Sequence, residues 1–404
     1  MHINHVPPIL NTHPVSQHTV SYNIRDNGLK ADCFCKTIKS EKPTEIKVIK
    51  KDFGVTKSGE TAELFTLINK NGASVDLSNF GATIVSVKVP DKNGKKIDIL
   101  QGYNSVKDYD GTPNGHAGGT IGPCANKIGD GKFSINGKEY QLETNKDNGK
   151  THCHGASAGF DMKMWKSEVL PNGVKFTLER PDGEGGYPGN LKASVTYTFD
   201  DNNNLRVDYK AKTDEDTVLN LTNHAYFNLD GAKNTEENAV YNHIVELPNS
   251  SKYTVNGKYA LPTGEIASVK GTPMDFTTPK KIGDVINSDF EQLKLVAGFD
   301  QNYCVDGYNG KDLIDVAKVK SPQTGIKMTV SSNLPGFQFY TANHLGKKTQ
   351  TPGRDGKIYE KRSSFCVEPQ FYPDAMAKFP EKPILKKDDE YNRTIIYKFE
   401  VDKR

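Results

Sequence analysis

From about residue 46 onward, apolar and polar residues alternate along the chain. The clearest stretch has Val195, Tyr197 and Phe199 on one arm and Leu205, Val207, Tyr209 and Ala211 on the other, with polar residues 200–204 between them. Side chains in a strand point alternately to its two faces, so this period of two predicts a hairpin of half-buried antiparallel strands. The same pattern runs through 85–89, and residues 91–94 then turn the chain. Phe133 and Ile135 lead into Asn136-Gly137, and residues 138–142 follow. Asn-Gly suits a tight hairpin because both residues tolerate positive φ. Further strands are predicted at 174–178, 327–330 and 394–401. Helical periodicity is confined to two short stretches, 281–287 and 291–297. Many strands separated by turns, with few short helices, predict an all-β fold, a large antiparallel β-sandwich. No internal repeat and no break in composition interrupts residues 46–404, which read as one domain.

Residues 1–45 differ. They show no sustained period, carry Pro7, Pro8 and Pro14, and hold four of the ten histidines (His2, His5, His13 and His18). They are expected to form a poorly ordered N-terminal extension without assigned chemistry.

Composition sharpens this. With 36 glycines and 21 prolines, one residue in seven interrupts a helix, which excludes a coiled coil and suits a sandwich of many turns. The formal net charge is +3, so nothing in the balance calls for nucleic acid or an acidic membrane. No charged segment precedes an apolar run at the N-terminus, and no run of about 18 apolar residues occurs, so neither a secretory signal nor a membrane span is expected. The six cysteines are sparse and irregular, which favours reduced thiols in the cytoplasm. Cys33 and Cys35 form a lone CxC pair, too little for a zinc site.

No phosphate-binding glycine loop or HExxH pattern is present. What remains is histidines and carboxylates in unusual settings. His224 lies among amides in residues 220–229, where an imidazole can be held in one tautomer and act as acid or base, or simply be a bonded core histidine. Glu368 follows an apolar run and precedes Pro369, which is expected to end strand pairing. Its carboxylate is either a base with a raised pKa or an edge group facing water. His152 and His154 are spaced to share one side of a strand, but no third metal ligand follows from spacing, so one is expected at a polar pocket and one in a structural role. Asp300 and Gln338 sit among aromatics and suit sugar hydroxyls, with turn capping and a surface amide as the alternatives.

These stretches together resemble the aldose 1-epimerase (galactose mutarotase) family. The resemblance runs in order through 78–83, 120–128, His154-Gly155, 159–161, 183–189, 222–229, 274–276, Phe299-Asp300, 335–340 and 368–370. It implies a large β-sandwich that interconverts the α and β anomers of an aldose such as galactose or glucose, with no cofactor and no metal. By motif, Glu368 corresponds to the base and His224 to the acid. His154 corresponds to a contact near the ring oxygen, and Asn126, Lys127, Tyr226, Asp300 and Gln338 fall on sugar-binding positions. The expected partner is a small aldose, with no nucleic acid or membrane, acting on a monomer or weak dimer. The four remaining histidines beyond the extension, His116, His152, His243 and His344, are read as structural.

Three positions depart from the family pattern. Lys127 stands where Arg is usual, Pro123 replaces another Arg, and Gln301 replaces a His. Lysine keeps the charge but loses the planar fork that grips two oxygens. The missing arginines argue against a sugar phosphate as substrate. They also motivate an alternative, a sugar-binding protein without turnover. A third class, a glycosidase using Glu368 and Asp300, needs two carboxylates flanking one bond.

Overall fold

The predicted hairpin lies within the largest sheet of the computed structural model, which describes residues 46–112, 114–347 and 350–402. Strands Leu191–Phe199 and Asn204–Thr213 pair antiparallel, with Phe199 opposite Leu205, Tyr197 opposite Val207 and Val195 opposite Tyr209. All six side chains are buried, while Thr196, Thr198, Arg206 and Asp208 face outward, as a period of two requires. Seven more strands complete this sheet. Lys166–Leu170 and Gly173–Arg180 lie on one side of the hairpin, and Tyr391–Val401, Ile326–Ser332, Ile314–Lys320, Ile244–Glu246 and Lys280–Lys281 on the other.

A second, five-stranded sheet is a meander in chain order from Lys47–Val55 to Lys96–Asp98. A third sheet has the order Pro262–Ser268, Lys252–Asn256, Asp300–Cys304, Gly336–Tyr340 and Cys366–Gln370. One apolar core joins the three. Phe65 of the meander meets Phe176 of the large sheet edge-on at 5.8 Å, and Tyr303, Phe337, Phe339 and Val367 of the third sheet belong to the same cluster. Burying each such side chain contributes roughly 1.5–3 kcal/mol, so these inward faces fix how the sheets sit. The outward alternates on the third sheet, Asp300, Gln338 and Glu368, are thereby turned to the opposite face.

Helices are few and short. Ile282–Val285 and Glu291–Leu295 fall inside the two predicted stretches, and Ala375–Lys378 adds one turn. One expectation fails locally. Pro369 does not end pairing, since Phe337 sits opposite it and Gly336 opposite Gln370. The strand is at the sheet edge, where a residue without an N–H can face away from its neighbour. Among the described residues no helix is long and apolar enough to cross a membrane. The expectations for residues 1–45, including their four histidines and the Cys33–Cys35 pair, lie outside the described residues.

Candidate active site

All eight residues singled out from the sequence line one cavity of about 600 Å³, a size typical of small-molecule sites. Three come from the third sheet. Cross-strand register puts Gln338 directly opposite Glu368, and Asp300 two residues from the partner of Gln338. Gln338 donates its side-chain N–H to Asp300 Oδ1 at 2.7 Å. Glu368 is 2% exposed, and its Oε2 has no partner among the described residues. Burial, and then the charge of Asp300, push the Glu368 carboxyl well above the usual range. Burial also raises Asp300, against the Gln338 hydrogen bond.

His224 faces these groups from a different segment. The short strand Thr222–Asn223 pairs with Thr120–Ile121, and the His224 N–H and C=O bond Gly119 O and Gly118 N at 3.0 and 2.8 Å. Asn223 points the other way and donates to Gly118 O at 2.7 Å. Gly118 has φ of 68°, and a Cβ there would lie 2.0 Å from the Ile84 carbonyl, so only glycine fits. These contacts leave His224 Nε2 at 3.7 Å from Glu368 Oε1 and Nδ1 at 3.6 Å from Cys366 Sγ. A thiol can donate or accept, so either imidazole tautomer is accommodated. One nitrogen, one sulfur and one carboxylate oxygen of this trio approach within 4.8 Å. The sulfur and carboxylate lie against opposite nitrogens of the ring, an arrangement that suits proton handling more than gathering three donors on one ion. Burial, and next the positive charge of His116, lower His224 to about 3. The 3.7 Å spacing would suit an ion pair, yet burial favours the neutral form of each partner. The two descriptions differ by one proton moved within the pair.

His154 follows the strand Thr151–Cys153 with φ of 53°, so it leaves the strand alternation and does not share a side with His152. Its Nδ1 accepts the Asn126 N–H at 3.2 Å, which places the proton of the neutral ring on Nε2. Burial, then the charges of His116 and His224, hold it well below the ordinary histidine range. His152 has both nitrogens engaged, Nδ1 with Glu143 O at 2.6 Å and Nε2 with Tyr187 Oη at 2.7 Å. It is structural, as is His243, whose Nε2 accepts the Leu229 N–H. Tyr226 packs its ring 4.9 Å from that of His224 and donates its hydroxyl to Gly115 O at 3.0 Å.

Two departures gain a physical account. Lys127 lines the cavity, but its ammonium is bonded to Asp147 Oδ2 at 3.0 Å and to the Tyr259 carbonyl. Gln301 is buried on the other face of its strand, accepts the Asp300 N–H at 2.8 Å and donates to Gln292 O. It braces Asp300 from behind. Nothing in the structure explains Pro123 in place of Arg.

Two histidines expected to be structural line the cavity instead, His116 and His344. His116 sits 4.9 Å from His154 and 6.1 Å from His224 between ring centroids. Nothing in the local sequence marks His116. The one available signal was Asp161 in the Gly-Phe-Asp motif, 45 residues away, which bonds it.

The sequence model of the aldose 1-epimerase family matches residues 63–398. The chain is 38% identical over 345 residues to galactose mutarotase of Homo sapiens, covering 85% of this chain and 95% of that one. It is 36% identical over 357 residues to galactose mutarotase of Rattus norvegicus, covering 88% and 99%. Its fold is similar to the crystal structure of an aldose epimerase homologue from C. elegans, with a TM-score of 0.74, 28% identity, and coverage of 84% of this chain and 98% of that one.

Proposed function

The chain belongs to the aldose 1-epimerase family, and on that premise we propose that Glu368 and His224 interconvert the α and β anomers of an aldohexose such as galactose or glucose in this cavity. The enzyme is an isomerase. The observation that carries the residue assignment is one acid–base pair, Glu368 and His224, 3.7 Å apart, buried and facing the same cavity.

The reaction needs one proton removed from the C1 hydroxyl and one delivered to the ring oxygen. The pair starts as carboxylate and imidazolium. Glu368 takes the hydroxyl proton as the C1–O bond gains double-bond character, and the bond from C1 to the ring oxygen breaks as His224 Nε2 protonates that oxygen. The products are an open-chain aldehyde with a free C5 hydroxyl, and a pair in which the carboxyl holds the proton and the imidazole is neutral. Rotation about C1–C2 presents the other face of the aldehyde. Closure runs the two transfers backward and restores the starting pair, so no net proton is consumed. Burial favours the neutral pair, the one that accompanies the open-chain sugar. The same burial makes Glu368 a stronger base, and His224 a stronger acid once charged.

The remaining groups hold the sugar. Asp300 and Gln338, locked together, accept and donate to neighbouring hydroxyls. His154 Nε2–H donates toward the ring oxygen region, Asn126 fixes His154, and Tyr226 offers an aromatic wall. Lys127 contributes a charge at the rim rather than a fork. Residues 46–404 form the catalytic domain, acting as a monomer or weak dimer. The buried unpaired thiols Cys124, Cys153, Cys304 and Cys366 support a reducing cytoplasm.

Polarimetry of freshly dissolved α-D-galactose and α-D-glucose tests the assignment. Relaxation should accelerate in proportion to enzyme concentration and collapse in the Glu368→Gln and His224→Ala variants. Unchanged rates in both variants would remove these residues from the chemistry.

A further inference from the structure

The mutarotase reading leaves the third histidine of the cavity without a task. His116 is held on every side but one. Its N–H donates to Asn114 Oδ1 at 2.9 Å, its carbonyl accepts the Gly119 N–H at 3.1 Å, and its backbone sits at φ of 64°. Its Nδ1 lies 2.7 Å from Asp161 Oδ2. Asp161 is bedded against glycine. A Cβ on Gly119 would fall 2.6 Å from the Asp161 Cβ, and one on Gly159 would fall 2.8 Å from Oδ1. The carboxylate side chain is 7% exposed, and Oδ1 has no hydrogen-bond partner. Among the described residues, His116 is its one side-chain partner. A carboxylate buried with a single partner is costly to keep, and here it is spent on orienting one ring.

That orientation has a chemical result. Donation of Nδ1–H to the carboxylate leaves Nε2 of the neutral ring unprotonated, an acceptor. Among the described residues Nε2 has no hydrogen-bond partner, and the ring is 31% exposed on the cavity wall. Beside it, 4.9 Å away between centroids, His154 presents the opposite character, Nε2–H as a donor. An acceptor next to a donor matches sugar hydroxyls, each of which both donates and accepts.

We propose that His116 is a further substrate-contacting residue, its Nε2 accepting a hydrogen bond from a hydroxyl of the bound aldose, and that Asp161 is the positioning residue that makes Nε2 the acceptor. The proposal rests on the mutarotase reading for the identity of the ligand.

The test uses the full chain and 1-deoxy-D-galactose, which cannot mutarotate, so calorimetric Kd is read independently of turnover. His116→Phe should raise this Kd, and KM for galactose, at least about tenfold, with kcat within about threefold of wild type. Asp161→Ala should match that loss. Asp161→Asn, whose amide oxygen can still accept Nδ1–H, should restore most of the affinity. Because His116→Phe strands a buried carboxylate, the double variant His116→Phe/Asp161→Asn is measured beside it and should show the same Kd. Unchanged Kd and KM in folded His116→Phe and the double variant would overturn the contact. So would a fall in kcat with both constants unchanged. Lack of turnover by wild type would instead fault the mutarotase reading, while the Kd series still decides on His116.

Discussion

Replacing Glu368 by Gln changes one atom type in a buried site and leaves the shape intact. General acid–base catalysis contributes typically about 10²–10⁴-fold. Glu368 is 2% exposed, so bulk water cannot take over as base, and the loss belongs in the upper half of that range. A fall in kcat of about 10³–10⁴ is expected, or about 4–6 kcal/mol of transition-state stabilisation at about 1.4 kcal/mol per decade. KM should change little, because Asp300 and Gln338 still hold the sugar. Initial polarimetric rates with fresh α-D-galactose, corrected for the buffer reaction, give both constants. The same variant has a stability signature. Below about pH 4.5 both the folded and unfolded wild type carry the Glu368 proton. As pH rises, the unfolded chain loses it first, because the folded carboxyl is raised. Wild-type stability from this group therefore falls until Glu368 ionises in the folded state. Gln has no such proton, so the unfolding midpoint of the variant should gain on wild type from pH 5 to pH 8. Turnover within tenfold of wild type, or a midpoint difference flat with pH, would refute the reasoning.

Three further outcomes are expected. His224→Ala should lower kcat by at least about 10²-fold, and a kcat within a few-fold of wild type would assign the acid elsewhere. The kcat profile should stay flat through the ordinary histidine range near about pH 6.5, because the working pair needs one shared proton. It should fall on the acid side only as a second proton enters near the His224 value of about 3, and on the alkaline side only beyond the raised Glu368. A kcat inflection near pH 6.5 would contradict the burial argument. Lys127→Arg should leave kcat and KM within about threefold, since the ammonium is committed to Asp147 and the Tyr259 carbonyl; a large loss by steady-state kinetics would mean the pocket is built around lysine.

Much of this was legible in the chain. The hairpin at 191–213 could be read because apolar side chains recur at every second residue and must share a buried face. Of the eight cavity residues, His154, His224, Asp300, Gln338 and Glu368 stood out in their local sequence and Asn126, Lys127 and Tyr226 only through the resemblance, but no local spacing brings residue 224 to residue 368. Their convergence comes from cross-strand register, as with Gln338 opposite Glu368, which no single segment encodes. Pro369 misled because a proline reads as a stop unless the strand is known to be an edge. His152 and His154 misled because a left-handed backbone at His154 breaks the strand alternation. His116 was passed over because nothing in its local sequence marks it for chemistry. Its task becomes visible only when the fold sets it against Asp161.

Exchange NMR on galactose labelled with ¹³C at C1, at anomeric equilibrium, tests the central claim most directly. The wild type should produce α–β cross peaks, at mixing times where buffer alone gives none, with an exchange rate linear in enzyme concentration and absent in Glu368→Gln. No exchange above buffer with wild type, or undiminished exchange with Glu368→Gln, would contradict ring opening by this pair.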